Sequence, residues 1–203
     1  MFAALSKIPF VELKISRPPW ERGYQAAIAF HLLDPAPSSA MPELVIMLKD
    51  PGSDQQSAYA LAAIGYDGAD VLITNITNQS ARGRLIVLSG LGHCQSRGNR
   101  HISVIIAHLD DPEWSVRQAA ILALGFARQE PDLAVPALIK ALEDPRPGDR
   151  YSSVVSLDRY GVEARTALPA LLSLLNGGKP TNLRQAIMQI DSNALTNASV
   201  SSK

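Results

Sequence analysis

The chain has 203 residues and a mass of 21.8 kDa, with 46% apolar and 19% charged residues, which suits one domain with a real core and is too hydrophobic for a disordered chain. Nineteen basic side chains balance nineteen acidic ones, and this removes the positive footprint of a general nucleic-acid or anionic-membrane binder. The single cysteine, Cys94, excludes an internal disulfide and a cysteine-built zinc site, and no apolar run approaches the roughly 18 residues that span a bilayer.

In chain order, residues 1–19 end in Arg17-Pro18-Pro19 and read as an extended linker. They lack the continuous apolar stretch of a signal peptide, so a cytoplasmic address is the expectation. From residue 20 to 190 the chain repeats itself. At an offset of 33, LDDPEWSVRQAAILALG aligns with LEDPRPGDRYSSVVSLD, and AVPALIKALED with ALPALLSLLNG. Leu109, Leu142 and Leu175 form one column, Leu91, Leu124 and Leu157 a second, and Ile105, Leu138 and Leu171 a third. Arg84, Arg117 and Arg150 recur in the same way.

Each unit reads as two helices. The first opens at a turn such as Asp111-Pro112 or Asp144-Pro145, where the carboxylate caps free N–H groups, and stops near Gly65, Gly92 or Gly125. The second carries an apolar stripe of helical period, as at Leu138, Ile139 and Leu142. One such hairpin cannot bury both of its stripes alone, so neighbours must stack. The expected fold is therefore all-α, a right-handed α-solenoid. Five hairpins are predicted at about 20–48, 52–76, 79–109, 112–142 and 146–175, then a capping helix at about 181–190 and a polar tail over 191–203.

The pattern D-P-x4-V-R-x-A-A-x-x-A-L-G at Asp111 to Gly125, followed by A-V-P-A-L from Ala134, resembles the short bacterial HEAT repeats, including the phycobilisome-lyase HEAT-like ones. The resemblance covers roughly two thirds of the chain and fades over residues 20–70. It implies a ladder joining adjacent repeats, built from an acidic residue and a basic one six positions later. Asp111 with Arg117 and Asp144 with Arg150 keep that spacing, and Arg84 keeps it with the neutral Asn78. It also implies a binding surface on which the second helices line a concave face. On that register lie Ile46, Thr74, Ala107, Lys140 and Ser173, small and mixed in character, which favours a shallow groove for a peptide or helix. Ile46 has a plainer reading, packing beneath the N-terminal linker.

Charge placement is the other departure from uniformity. Residues 1–70 carry five basic against eight acidic side chains, 71–109 four against none, 110–144 three against seven, and 145–203 seven against four. The unit charges thus run −3, +4, −4, +3. Arg82, Arg97 and Arg100, with His101 and His108, make a candidate site for carboxylates or phosphates, and so for an acidic partner. The plainer reading is a solvated surface.

No catalytic constellation is found. No serine sits in a G-x-S-x-G elbow, no glycine-rich run continues into G-K-[ST], and Asp110-Asp111 lies in a capping context. His93, Cys94, His101 and His108 do not make a ligand set, since no i, i+4 pair or carboxylate completes one, so no metal and no cofactor is expected. The sequons at Asn75, Asn78 and Asn197 are read as chance. The expected function is a non-catalytic scaffold or adaptor that binds a protein or peptide. The alternatives are a phycobilin-lyase-like enzyme or subunit, on the resemblance alone, and anion or nucleic-acid binding through the arginine-rich third unit.

Overall fold

A computed structural model describes residues 38–76, 80–94, 99–144, 146–176 and 183–195. Among these there are ten α-helices and no strand. They are α1 (Met41–Met47), α2 (Asp54–Ile64), α3 (Tyr66–Ile76), α4 (Ala81–Gly92), α5 (Asn99–Ala107), α6 (Trp114–Ala127), α7 (Pro131–Leu142), α8 (Pro147–Tyr160), α9 (Leu168–Asn176) and α10 (Leu183–Ile190). Residues 1–37, and with them the linker and the first helix of the first hairpin, lie outside the described residues. So do Arg97 and the side chain of Arg100.

The helices pair as the repeat demands. The first helices α2, α4, α6 and α8 pack on one another in series, and the second helices α3, α5, α7 and α9 form the other layer. Between the layers, Leu91, Leu124, Leu157, Ile105, Leu138 and Leu171 are fully buried, and Leu142 is 1% exposed. Leu109 and Leu175 close the same column half-buried. Burial of one such leucine contributes about 2 kcal/mol, so the columns supply the main cohesion of the stack.

The glycines divide by role. Gly65 takes φ 93°, a conformation that ends α2 at little steric cost. Gly92 and Gly125 instead let first helices approach closely. A Cβ at Gly92 would lie 2.7 Å from Ala123 Cα, and one at Gly125 2.7 Å from Ser156 Cα. Helix starts also differ in detail from the expectation. Asp111 and Asp144 lie just before α6 and α8 and accept the backbone N–H groups of Glu113 (3.0 Å) and Arg146 (2.9 Å), forming Asx turns rather than N-caps. In the fifth unit a 3₁₀ segment, Gly161–Ala167, intervenes between α8 and α9. Helix α10 buries Leu183, Ala186, Ile187 and Ile190, and Ala194 beyond it is 8% exposed.

Candidate functional site

The ladder is a set of charged side chains along the N-terminal ends of the first helices. Arg84 donates from Nε to Asp111 Oδ2 at 2.8 Å, and Arg117 from Nε to Asp149 Oδ2 at 2.9 Å. Each of these pairs joins one unit to the next. Within the six-residue spacing, the arginine reaches a main-chain carbonyl rather than the carboxylate. Arg117 Nη1 donates to Asp111 O at 2.8 Å and to Pro112 O at 3.0 Å, and Arg150 Nη2 to Asp144 O at 3.0 Å. The Asp144 carboxylate is taken by Arg146, whose guanidinium holds its pKa down at about 2. Asp111 is likewise held below the usual carboxylate range, chiefly by Arg84. Arg82 adds a bridge to Asp54 at 3.0 Å. The acids Asp54 and Asp149 sit in the first turn of their helices, where the backbone dipole favours them. Neither was found from the sequence, because the spacing to the arginine, 28 and 32 residues, is set by how units stack.

The arginine-rich unit is accordingly spoken for where it is described. Arg82 and Arg84 carry carboxylate partners, and His101 is buried at 3% exposure. Burial pushes the His101 imidazole below its usual pKa, with Gln129 opposing the shift. His108 is half-buried, its Nδ1 2.9 Å from the Val104 carbonyl oxygen. Among the described residues no three His, Cys, Asp or Glu side chains come together in a way that would hold a metal, and Cys94 is buried.

The five positions assigned to the partner face occupy the second layer in register. Ile46 on α1, Thr74 on α3, Ala107 on α5, Lys140 on α7 and Ser173 on α9 are all exposed. Between α5 and α7 the face sinks into a shallow pocket of about 110 Å³, floored by Ile106, Leu109, Ala137 and Ala141. Lys140 and Asp110 meet across its rim at 3.0 Å, each 76% exposed. The volume suits one branched aliphatic side chain rather than a drug-sized molecule.

One further set of residues, also missed, crosses the units at the C-terminal ends of the first helices. Tyr59 meets His93 edge-on with centroids 4.8 Å apart, His93 stacks on Phe126 at 4.8 Å, and the Arg159 guanidinium lies 4.2 Å above the Phe126 ring. These positions recur at nearly the repeat period. They escape a search for like residues because the column mixes a phenol, an imidazole, a phenyl and a guanidinium. Nearby, the α6–α7 corner holds Arg128 at φ 47° and Glu130 at φ 46°. Tyr160 pins that corner by donating to Leu124 O and Gln129 O, both at 3.0 Å.

Comparison with known proteins matches residues 102–190 to the family model for HEAT repeats. Among solved structures the chain is similar to one from the complex of CpcE and CpcF of phycocyanin lyase from Nostoc sp. PCC7120. There the identity is 21% and the TM-score 0.62, over 76% of this chain and 99% of that one. It is also similar to an engineered protein, at 18% identity and a TM-score of 0.52, over 90% and 93% of the two chains. No curated protein matches the chain. At these identities the likeness concerns the fold.

Proposed function

We propose, starting from the match of residues 102–190 to the family model for HEAT repeats, that the chain is a non-catalytic module that binds a protein or peptide along its second-helix face. The observation that carries this is the register of Ile46, Thr74, Ala107, Lys140 and Ser173. Five successive second helices expose a position of the same column, and none of these side chains fills the core. A row of this kind fits an extended or helical ligand lying across the units, with one apolar anchor in the pocket between α5 and α7. The exposed Lys140–Asp110 bridge at its rim is worth little by itself, so a charged group on the ligand displaces it at small cost. A photo-crosslinking residue placed at 107, 140 or 173 is expected to capture one discrete protein in the source cell. Filling the pocket with Ala137→Trp should abolish that capture without loss of helicity. Adducts that ignore the filled pocket, or none at all from this face, would remove the reading.

A second reading, a subunit of a lyase-type complex, is favoured by the likeness to a chain of phycocyanin lyase. Its test is covalent attachment of a bilin to an acceptor protein when the purified chain is added. Attachment that is independent of the chain would exclude it.

A further inference from the structure

The first helices approach one another through a glycine at one position of the repeat, Gly92 on α4 and Gly125 on α6, and 33 residues further on the same position in α8 is Asp158. The helix that α8 meets there is α10, which continues the first-helix layer: Ala120, Ser153 and Ala186 share a column and are all buried. A side chain at position 158 stands where glycine admits the next helix, and this seam is not closed. Between α8 and α10 lies a cavity of about 150 Å³, lined by Val155, Asp158, Gln185 and Ala186. Asp158 Oδ1 is enclosed, and among the described residues no hydrogen-bond donor reaches it. The adjacent cation, Arg159, is turned onto the Phe126 ring at 4.2 Å. The carboxylate also sits in the last turn of α8, where the free carbonyl groups make the helix dipole negative and oppose an anion.

An enclosed carboxylate oxygen that lacks a donor is costly, and the helix end adds to the cost. Water entering the cavity supplies a donor and leaves the charge uncompensated. A cationic donor answers both. We propose that the cavity between α8 and α10 is a binding site for a primary alkylammonium group, with Asp158 as its counter-ion. One enclosed oxygen suits the compact charge of an ammonium better than the two-pronged fork of a guanidinium. Val155 and Ala186 give apolar walls for the methylenes next to the nitrogen, and Gln185, exposed at the rim, offers an amide oxygen as a second acceptor. The sign of the site excludes phosphates and carboxylates. Free amines and the lysine side chain of another protein share the chemistry that fits. The lining residues belong to the first-helix layer and not to the pocket between α5 and α7, so this site stands or falls apart from the proposed function.

Thermal melts of the full chain with n-butylammonium chloride test this. Binding to the folded chain alone is expected to raise the melting temperature by about 3 °C or more at ten times the Kd, with added hydrogen-exchange protection in α10. Tetramethylammonium chloride at the same ionic strength has no N–H to donate and should leave both readouts unchanged. Asp158→Asn keeps the shape and removes the charge, so it should weaken butylammonium at least about tenfold. Without amine the same variant should melt no lower than the wild type, because it loses an uncompensated charge. Lysine blocked at both its backbone ends is the second probe. A response to both amines assigns the site to alkylammonium groups at large, and a response to the blocked lysine alone assigns it to a protein side chain. A wild type that responds to neither holds water only, and the proposal falls. It falls too if tetramethylammonium acts equally, if Asp158→Asn keeps the response, or if that variant is less stable without amine, which would mean that the chain supplies its own donor.

Discussion

Arg117 and Arg82 make the same kind of bond in opposite surroundings. Arg117 is 4% exposed and bonds Asp149, Asp111 O and Pro112 O. Arg117→Met strands the Asp149 carboxylate, 4% exposed, with only Arg146 at 3.1 Å, and should cost about 3 kcal/mol by urea denaturation. Arg82→Ala removes a bridge open to water on the arginine side and leaves Asp54, 7% exposed, with the Gln55 backbone N–H at 2.8 Å, so it should cost less, about 1 kcal/mol. Equal losses would mean that burial does not set the strength of the ladder. Protonation probes the same scale. Because the folded pKa of His101 lies below its unfolded value, the unfolded chain binds more protons in the window beneath about 6.5. The stability tied to neutral His101 is therefore present above that pH and lost as pH falls toward the folded value. In His101→Gln the urea midpoint should become flatter between pH 7 and 5.5. Asp144 has the carboxylate sign. Its contribution is intact above the ordinary carboxylate value of 3.8 and disappears as pH falls toward about 2.

At the scale of elements, close approach of the first helices decides more than propensity does. Gly125 sits where a Cβ would come 2.7 Å from Ser156 Cα on α8. Gly125→Val should cost at least about 1–3 kcal/mol, because neither backbone can give way without breaking Ser156 Oγ to Ile121 O at 2.8 Å. A thermal melt no lower than that of the wild type would show that α6 and α8 can slide apart. From the sequence this glycine reads as a helix stop, because glycine both ends helices and admits neighbours, and a single chain gives no way to tell which. The apolar columns were legible for a sounder reason. Leu91, Leu124 and Leu157 recur because one packing environment recurs, and all three are fully buried. The register of the second helices followed from the same columns. What the pattern does not carry is anything fixed by the stacking offset between units. Asp149 as partner of Arg117, and the column of Tyr59, His93, Phe126 and Arg159, belong to that class.

For the whole molecule the ends matter most, since each unit of a solenoid is held only by its neighbours. At the C-terminal end α10 packs against α8, α9 and the 3₁₀ segment through Leu183, Ala186, Ile187 and Ile190. Its opposite face offers Arg184, Gln185, Met188 and Gln189 to solvent. Ile187 is fully buried. Ile187→Asp places a carboxylate in that seam and should cost upwards of about 3 kcal/mol, felt first by the unit it covers. Stability in such an array is close to a sum of unit and interface terms, so the loss should be local before it is global. Native-state hydrogen exchange reads this directly. Amides of α9 and α10 are expected to lose protection at low denaturant, while those of α4 and α6 keep theirs. Uniform loss across all first helices would mean that the array unfolds as one cooperative block and that α10 guards the whole stack.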